Sequence, residues 1–447
     1  MTDTSKNISR RFFSLTIFGL FCSSLLAGNV ELLFAQKLPS SPNLWEGLYQ
    51  PLPKITKPLE VSADYESLSE IQTRQFLADS FMASKLHRVS SRAQLNERFV
   101  QFQIKSKFGS HTPLGVRHTQ NLIREIHAMH ALLNMKESKS FVSAAEKAAL
   151  APFNFVKNLL EDPVDTITGI PKGVVRYMDR VGEMATGSRS EEEDAIAKEL
   201  IGFSSAKRKL AFQLDIDVYS PNKALQQELN RVAWASYSGG FIIGEGLSSL
   251  TGGASNRNKE STQINEIIRD YPPEDLRSIN RKRLLQMDMD EDIIKEFLRH
   301  PHYTPRQEII LVSALYSMPG TADRSVFIRE SMKANNFSQA YLNQKRAQLL
   351  RQYSQDHSPI NRIAVLNGRV VAQADNSRWV IPIAWDLLTW DKETAEMAKA
   401  IIQAIQESSN KEIDLMLGGK FTQRAKDGFE ALGIKILPAS EIYRQAE

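Results

Sequence analysis

Apolar positions along the chain change rhythm several times, and each change marks an element. Phe102 and Ile104 alternate with Gln101, Gln103 and Lys105, the two-residue period of a half-buried strand over Phe99–Ile104. Phe108-Gly109 opens a turn, and Leu114-Gly115-Val116 reads as a return strand. From Thr119, taken as an N-cap, Leu122, Ile126, Met129 and Leu133 recur at helical spacing. Residues 63–135 thus predict a small β-plus-helix unit.

The rhythm over 136–260 is helical. An alanine-rich helix at 138–161 ends at Asp162-Pro163, and 163–186 is interrupted by Gly169, Pro171 and Gly173. Glu191–Asp194 places acidic residues at a helix start, where they meet the positive end of the dipole. Leu225, Leu229, Val232 and Trp234 make one apolar side, before a glycine-rich stretch at 239–253. Residues 261–357 predict an array of short helices, in a bundle or solenoid, with Asp275, Asp290, Thr304 and Ser338 as caps.

The C-terminal segment, 358–447, changes class. Asn367-Gly368 between two apolar runs is a hairpin signal, and Trp379–Trp385 reads as a further strand. Asp391 caps a helix with Ala398, Ile401, Ile402 and Ile405 on one side. Strand Ile413–Leu417, a helix capped by Thr422 and strand Ile434–Leu437 follow. Strand–helix–strand at this spacing implies parallel strands. The fold class is therefore α+β and predominantly α-helical, with a small β-plus-helix unit, a helical array and a C-terminal α/β unit with a small sheet.

The first thirty-five residues follow a different logic. Ser9-Arg10-Arg11-Phe12-Phe13 fits the twin-arginine pattern, and an apolar stretch runs on to Val30. Arg10 and Arg11 therefore mark an export signal, with cleavage near Ala35 and a periplasmic product. The alternative is an uncleaved anchor in the inner membrane, since the stretch approaches the ~20 residues of a spanning helix. Residues 36–62, with Pro39, Pro42, Pro51, Pro53 and Pro58, read as an extended linker.

Composition narrows the chemistry. Cys22 is the sole cysteine and lies inside the signal, so cleavage leaves no thiol for a disulfide, a thiolate metal site or a nucleophile. The formal charge of +4 falls to +3 once Lys6, Arg10, Arg11, Asp3 and Glu31 are removed, which gives no argument for nucleic acid.

Gly418, Gly419, Lys420 and Thr422 sit between a strand and a helix N-terminus, where backbone N–H groups can gather an anion. The spacing matches neither a Walker loop nor a dinucleotide fingerprint, so a tight glycine turn competes with anion binding. Asp288-x-Asp290-x-Asp292 lacks the glycine and glutamate of a calcium loop, having Ile293 and Arg299 there instead. Asp215, Asp217 and Asn222 make a second acidic loop. His127 and His130 could share a metal from one helix, but without a His-Glu-x-x-His motif ordinary structural histidines are the better reading. Ser204-x-x-Lys207 and Ser408-x-x-Lys411 both fit a Ser-Lys pattern without its companion motifs. Lys172, Arg176 and Arg180 give 163–186 an amphipathic face suited to burial or to a lipid surface. No cofactor is expected.

The most distinctive text is Ile201–Ala211, then Leu214–Ser220, then Leu225–Ala235. With Pro163–Val175 upstream, it resembles a group of uncharacterised exported bacterial proteins. Their C-termini share a strand, a Gly-Lys-x-Thr helix start and a Leu-Gly turn, as in Gly419–Gly433. The resemblance spans roughly residues 95–260 and the C-terminal unit; it implies export and carries over no catalytic residue. The expectation is an exported, envelope-associated interaction protein with a protein partner. The alternatives are a cofactor-free enzyme with a composite site, and a lipid binder acting through 163–186 and 239–253 by peripheral membrane contact.

Overall fold

The computed structural model describes residues 64–136, 191–239, 259–366, 368–375, 377–406 and 412–439, together with Ser143. The signal at 1–35, the linker at 36–62 and the segments 163–186 and 240–253 lie outside the described residues. The protein is a mixed α+β structure in which over half of the described residues are helical. Among the described residues no helix is long and apolar enough to cross a membrane.

The N-terminal unit holds two three-stranded antiparallel sheets. One orders β1 (Glu70–Gln72), β3 (Arg92–Asn96) and β4 (Phe99–Gln101) side by side. The other orders β2 (His87–Val89), β5 (Ile104–Ser106) and β6 (Gly109–His111), and a short helix α1 (Asp79–Met82) precedes β2. The single strand expected over Phe99–Ile104 is thus two strands in two sheets. The chain crosses between them at Phe102, which is fully buried and whose N–H donates to Pro113 O. Alternation predicted the burial of Phe102 and Ile104 and could not see the crossing.

The return strand at Leu114–Val116 is also corrected. Leu114 makes a single bridge to Gln101, and helix α2 (Val116–Lys136) starts at once. Gly115, at φ +97°, turns the chain into the helix. Thr119 is therefore inside α2, its hydroxyl donating to Gly115 O, rather than at its cap.

Helices α3 (Glu191–Gln213) and α4 (Lys223–Gly239) form a hairpin that packs on α2. One core joins Phe102, Ile126 and Leu132 to Leu210, Leu229 and Val232, so the β unit and this hairpin fold onto each other. The array then runs through α5 (Lys259–Asp270), α6 (Pro273–Leu285), α7 (Glu291–Leu298), α8 (Pro305–Tyr316), α9 (Arg324–Ser331) and α10 (Phe337–Asp356). Thr304 caps α8 in a capping box with Gln307, as read. The cap of α10 is Asn336 rather than Ser338, and Pro272 precedes α6, which leaves Asp275 in its first turn. Asp290 holds the N-cap position of α7 without a side-chain bond.

The C-terminal sheet orders β13 (Ile434–Pro438), β11 (Ile413–Leu417), β9 (Trp379–Ile383), β8 (Arg369–Ala374) and β7 (Ile360–Leu366). β13, β11 and β9 are parallel, while β7–β8 is a hairpin whose Gly368 has φ +72°. Helix α11 (Lys392–Gln406) links β9 to β11, and α12 (Gln423–Ala431) links β11 to β13. Alternate residues separate two cores. Val380 and Met416 face α10 with Leu350 and Tyr353; Ile381, Leu415 and Leu417 face α11 and α12 with Ile405 and Phe429. Both faces are covered, which explains why β9 and β11 read as continuous apolar runs.

Candidate functional site

In open α/β sheets, ligands bind beyond the carboxyl ends of the parallel strands. Here those ends deliver Trp385-Asp386 from β9 and Gly418-Gly419 from β11. The N–H of Gly418 donates to Ile383 O at 2.7 Å, that of Lys420 to Asp386 O at 2.9 Å and that of Thr422 to Leu388 O at 3.1 Å. Lys420–Phe421 forms the short strand β12 beside β10 (Leu387–Leu388). A Cβ on Gly419 would lie 2.0 Å from Trp385 O, so only glycine fits this turn.

Thr422 accepts from Ala425 N and caps α12 as expected. Its own hydroxyl donates to Glu66 Oε2 at 2.6 Å, and the Trp390 N–H reaches the same oxygen at 2.6 Å. The four residues read as an anion-binding loop are thus contiguous, yet the N–H groups of Gly418, Lys420 and Thr422 are spent within the chain. The chain's own Glu66 carboxylate meets the helix N-terminus. This part of the loop is therefore a glycine-dependent turn whose Gly418, Lys420 and Thr422 amides are bonded within the chain.

The N-terminal unit fills the rest of this crevice. Asp386 Oδ2 accepts from Val100 N at 3.0 Å and from Val116 N at 3.1 Å. Asp386 N and Leu387 N both donate to Arg98 O. The Arg98 guanidinium lies 2.7 and 2.8 Å from the two Asp391 oxygens and stacks 5.3 Å over the Trp385 ring. Burial pushes the Asp386 carboxyl up to about 6, against the pull of its two amide bonds.

The distinctive loop after α3 is a charged junction. Asp215 sits 3.5 Å from Arg124 and Asp217 sits 3.9 Å from Arg306, while Asp217 also accepts from Tyr219 N. Glu125 accepts from the Ser220 hydroxyl at 2.6 Å and from Asn222 at 3.0 Å. These carboxylates serve to join α2, α3, α4 and α8. Asp290 faces Arg329 and Asp292 faces Lys295, so the Asp288–Asp292 run also meets cations of the chain. The Ser204 hydroxyl accepts from Arg208 rather than pairing with Lys207, and Ser408 and Lys411 lie outside the described residues.

One further cluster was invisible in the sequence. His127, on α2, meets His87 on β2, forty positions earlier. His127 Nε2 and His87 Nδ1 stand 3.3 Å apart, and the Ser84 hydroxyl oxygen lies 2.9 Å from the latter and 3.3 Å from the former. His87 Nε2–H donates to Phe81 O at 3.0 Å, which leaves its Nδ1 as the acceptor. His130 instead pairs with Asn134. Burial, with His87 and His130 adding to it, pulls His127 down to about 4. Burial also lowers His87, so both rings are neutral near pH 7. Among the described residues no group of three or more His, Cys, Asp or Glu side chains could hold a metal ion.

No protein-family model matches the chain, and neither a curated protein nor a solved structure matches it.

Proposed function

We propose that the chain is an exported bacterial protein, periplasmic after cleavage near Ala35 or held by its uncleaved signal, that binds a protein partner at the envelope rather than catalysing a reaction. The observation that carries this reading is the filled strand-end crevice. Where an α/β unit ordinarily admits a ligand, Arg98, Val100 and Val116 of the N-terminal unit are hydrogen-bonded in place. The reading draws further support from the array's surface. Tyr316 is 40% exposed and Leu285 39%, and the Arg283 guanidinium stacks 5.6 Å over the Tyr316 ring. Exposed tyrosine and arginine are the residue types enriched at protein interfaces.

A second reading, a cofactor-free enzyme, is favoured by one feature. Ser84 hydroxyl, His87 ring and Phe81 carbonyl stand in the order nucleophile, base and orienting group. Against it, the Ser84 oxygen already accepts from Leu86 N and His87 N. Treating the exported protein with a fluorophosphonate probe and a panel of activated esters separates the two readings. We expect neither label nor turnover; a label mapped to Ser84 would establish the enzyme reading instead.

A further inference from the structure

We propose that His87 and His127 form a binding site for a late first-row divalent metal ion, with zinc and copper as its natural probes. The inference stands apart from the partner-binding reading and rests on geometry. Two imidazole nitrogens bound at about 2.0–2.1 Å to one tetrahedral ion lie roughly 3.3–3.4 Å apart. His127 Nε2 and His87 Nδ1 are 3.3 Å apart. The Ser84 oxygen, at 2.9 and 3.3 Å from them, already accepts from Leu86 N and His87 N, so water completes the ion's coordination. Ser84 is exposed, so the remaining positions open to solvent.

The supporting shell has the form that metal-binding histidines use. The His87 Nε2–H is held by a backbone carbonyl, which fixes the tautomer and leaves the Nδ1 lone pair on the side of Ser84 and His127. His87 is itself buried on a strand paired to β5, and His127 is flanked by the buried Ile126 and Ala128 on α2, so both rings project from ordered elements. Nitrogen donors select zinc, copper or nickel over magnesium or calcium, which take oxygen. With two protein nitrogens, the site binds more weakly than a four-ligand structural zinc centre.

The test is a calorimetric titration of the purified exported protein, freed of metal by chelator and desalted, with Zn²⁺ and separately with Cu²⁺ at pH 7.5. We expect one ion per chain. Loss of an outer-shell partner alone commonly weakens metal affinity about 10–100-fold, so His127→Gln should weaken it by at least ~10-fold. His130→Gln, whose ring pairs with Asn134, should leave it unchanged. His127 is only half-buried, and circular dichroism verifies that the variant folds. Unaltered affinity in His127→Gln, an equal loss in His130→Gln or the absence of binding by the parent protein would each overturn the site and leave a hydrogen-bonded histidine pair. Should His127→Gln fail to fold, cobalt bound to the parent protein decides: a d–d spectrum without nitrogen ligation has the same consequence.

Discussion

The junction at the strand ends and the interior of the helical array both bury charge, and they handle it differently. At the junction, Asp386 accepts two backbone amides that come from β4 and α2, about 280 residues away in sequence. In the array, Glu308 on α8 is wholly buried and, among the described residues, neither of its oxygens accepts a hydrogen bond; Arg277 Nε lies 3.9 Å away. Both amide atoms of the buried Asn280 and the Tyr219 hydroxyl also lack a hydrogen-bond partner within the described residues. Burial accordingly raises Glu308 to about 8, well beyond Asp386 at about 6. The same desolvation is answered by donors in one region and by a retained proton in the other.

The largest loss is expected where the donors are. Asp386→Ala strips the acceptor from Val100 N and Val116 N and should cost about 2–4 kcal/mol in urea unfolding at pH 7. Asp386→Asn keeps an oxygen in the same place and should cost less than about 1 kcal/mol. Equal losses would show that the charge, rather than the hydrogen bonds, joins the N-terminal unit to the sheet.

Glu308 gives the opposite signature. Its folded state retains a proton that the unfolded chain releases near the ordinary carboxyl value, so stability falls as pH rises through the window from about 4.5 to about 8. Glu308→Gln removes that penalty. The variant should match the parent at pH 4 and exceed it at pH 9 by about 3–5 kcal/mol, measured by urea unfolding. A gain of the same size at both pH values would assign the effect to packing instead of protonation.

The contrast between the regions also explains what the sequence reveals. Hairpin β7–β8 and the caps at Thr304 and Thr422 rest on neighbours a few residues apart, and a turn dipeptide or a capping residue announces them. Glu66 meeting Thr422, Val100 meeting Asp386 and His87 meeting His127 depend on elements brought together only by folding. The glycine turn at Gly418-Gly419 was legible as a turn at a helix start. That its amides are consumed by β9 and β10 was not, because a free and a spent N–H have the same sequence. Thr119 misled for a related reason: it is a good cap by type, but Gly115 had already turned the chain.

The smallest effect should separate the regions by packing rather than charge. A Cβ on Gly428 would meet the Trp390 ring at 2.4 Å, and that ring is fully buried beside Phe429 with nowhere to move. A Cβ on Gly202 would meet the Tyr237 ring at 2.1 Å, a still closer approach, but Tyr237 is 37% exposed and rests against Trp234 at 6.0 Å between ring centroids. Alanine in a helix interior gains about 1 kcal/mol over glycine. Displacing the tyrosine forfeits an aromatic contact of about 0.5–1.5 kcal/mol. These offset, so Gly202→Ala should change stability by less than about 1 kcal/mol while altering tryptophan fluorescence as Tyr237 leaves Trp234. A loss above about 2 kcal/mol would mean that Tyr237 is held as firmly as Trp390. The α3–α4 hairpin would then be as rigidly packed as the junction.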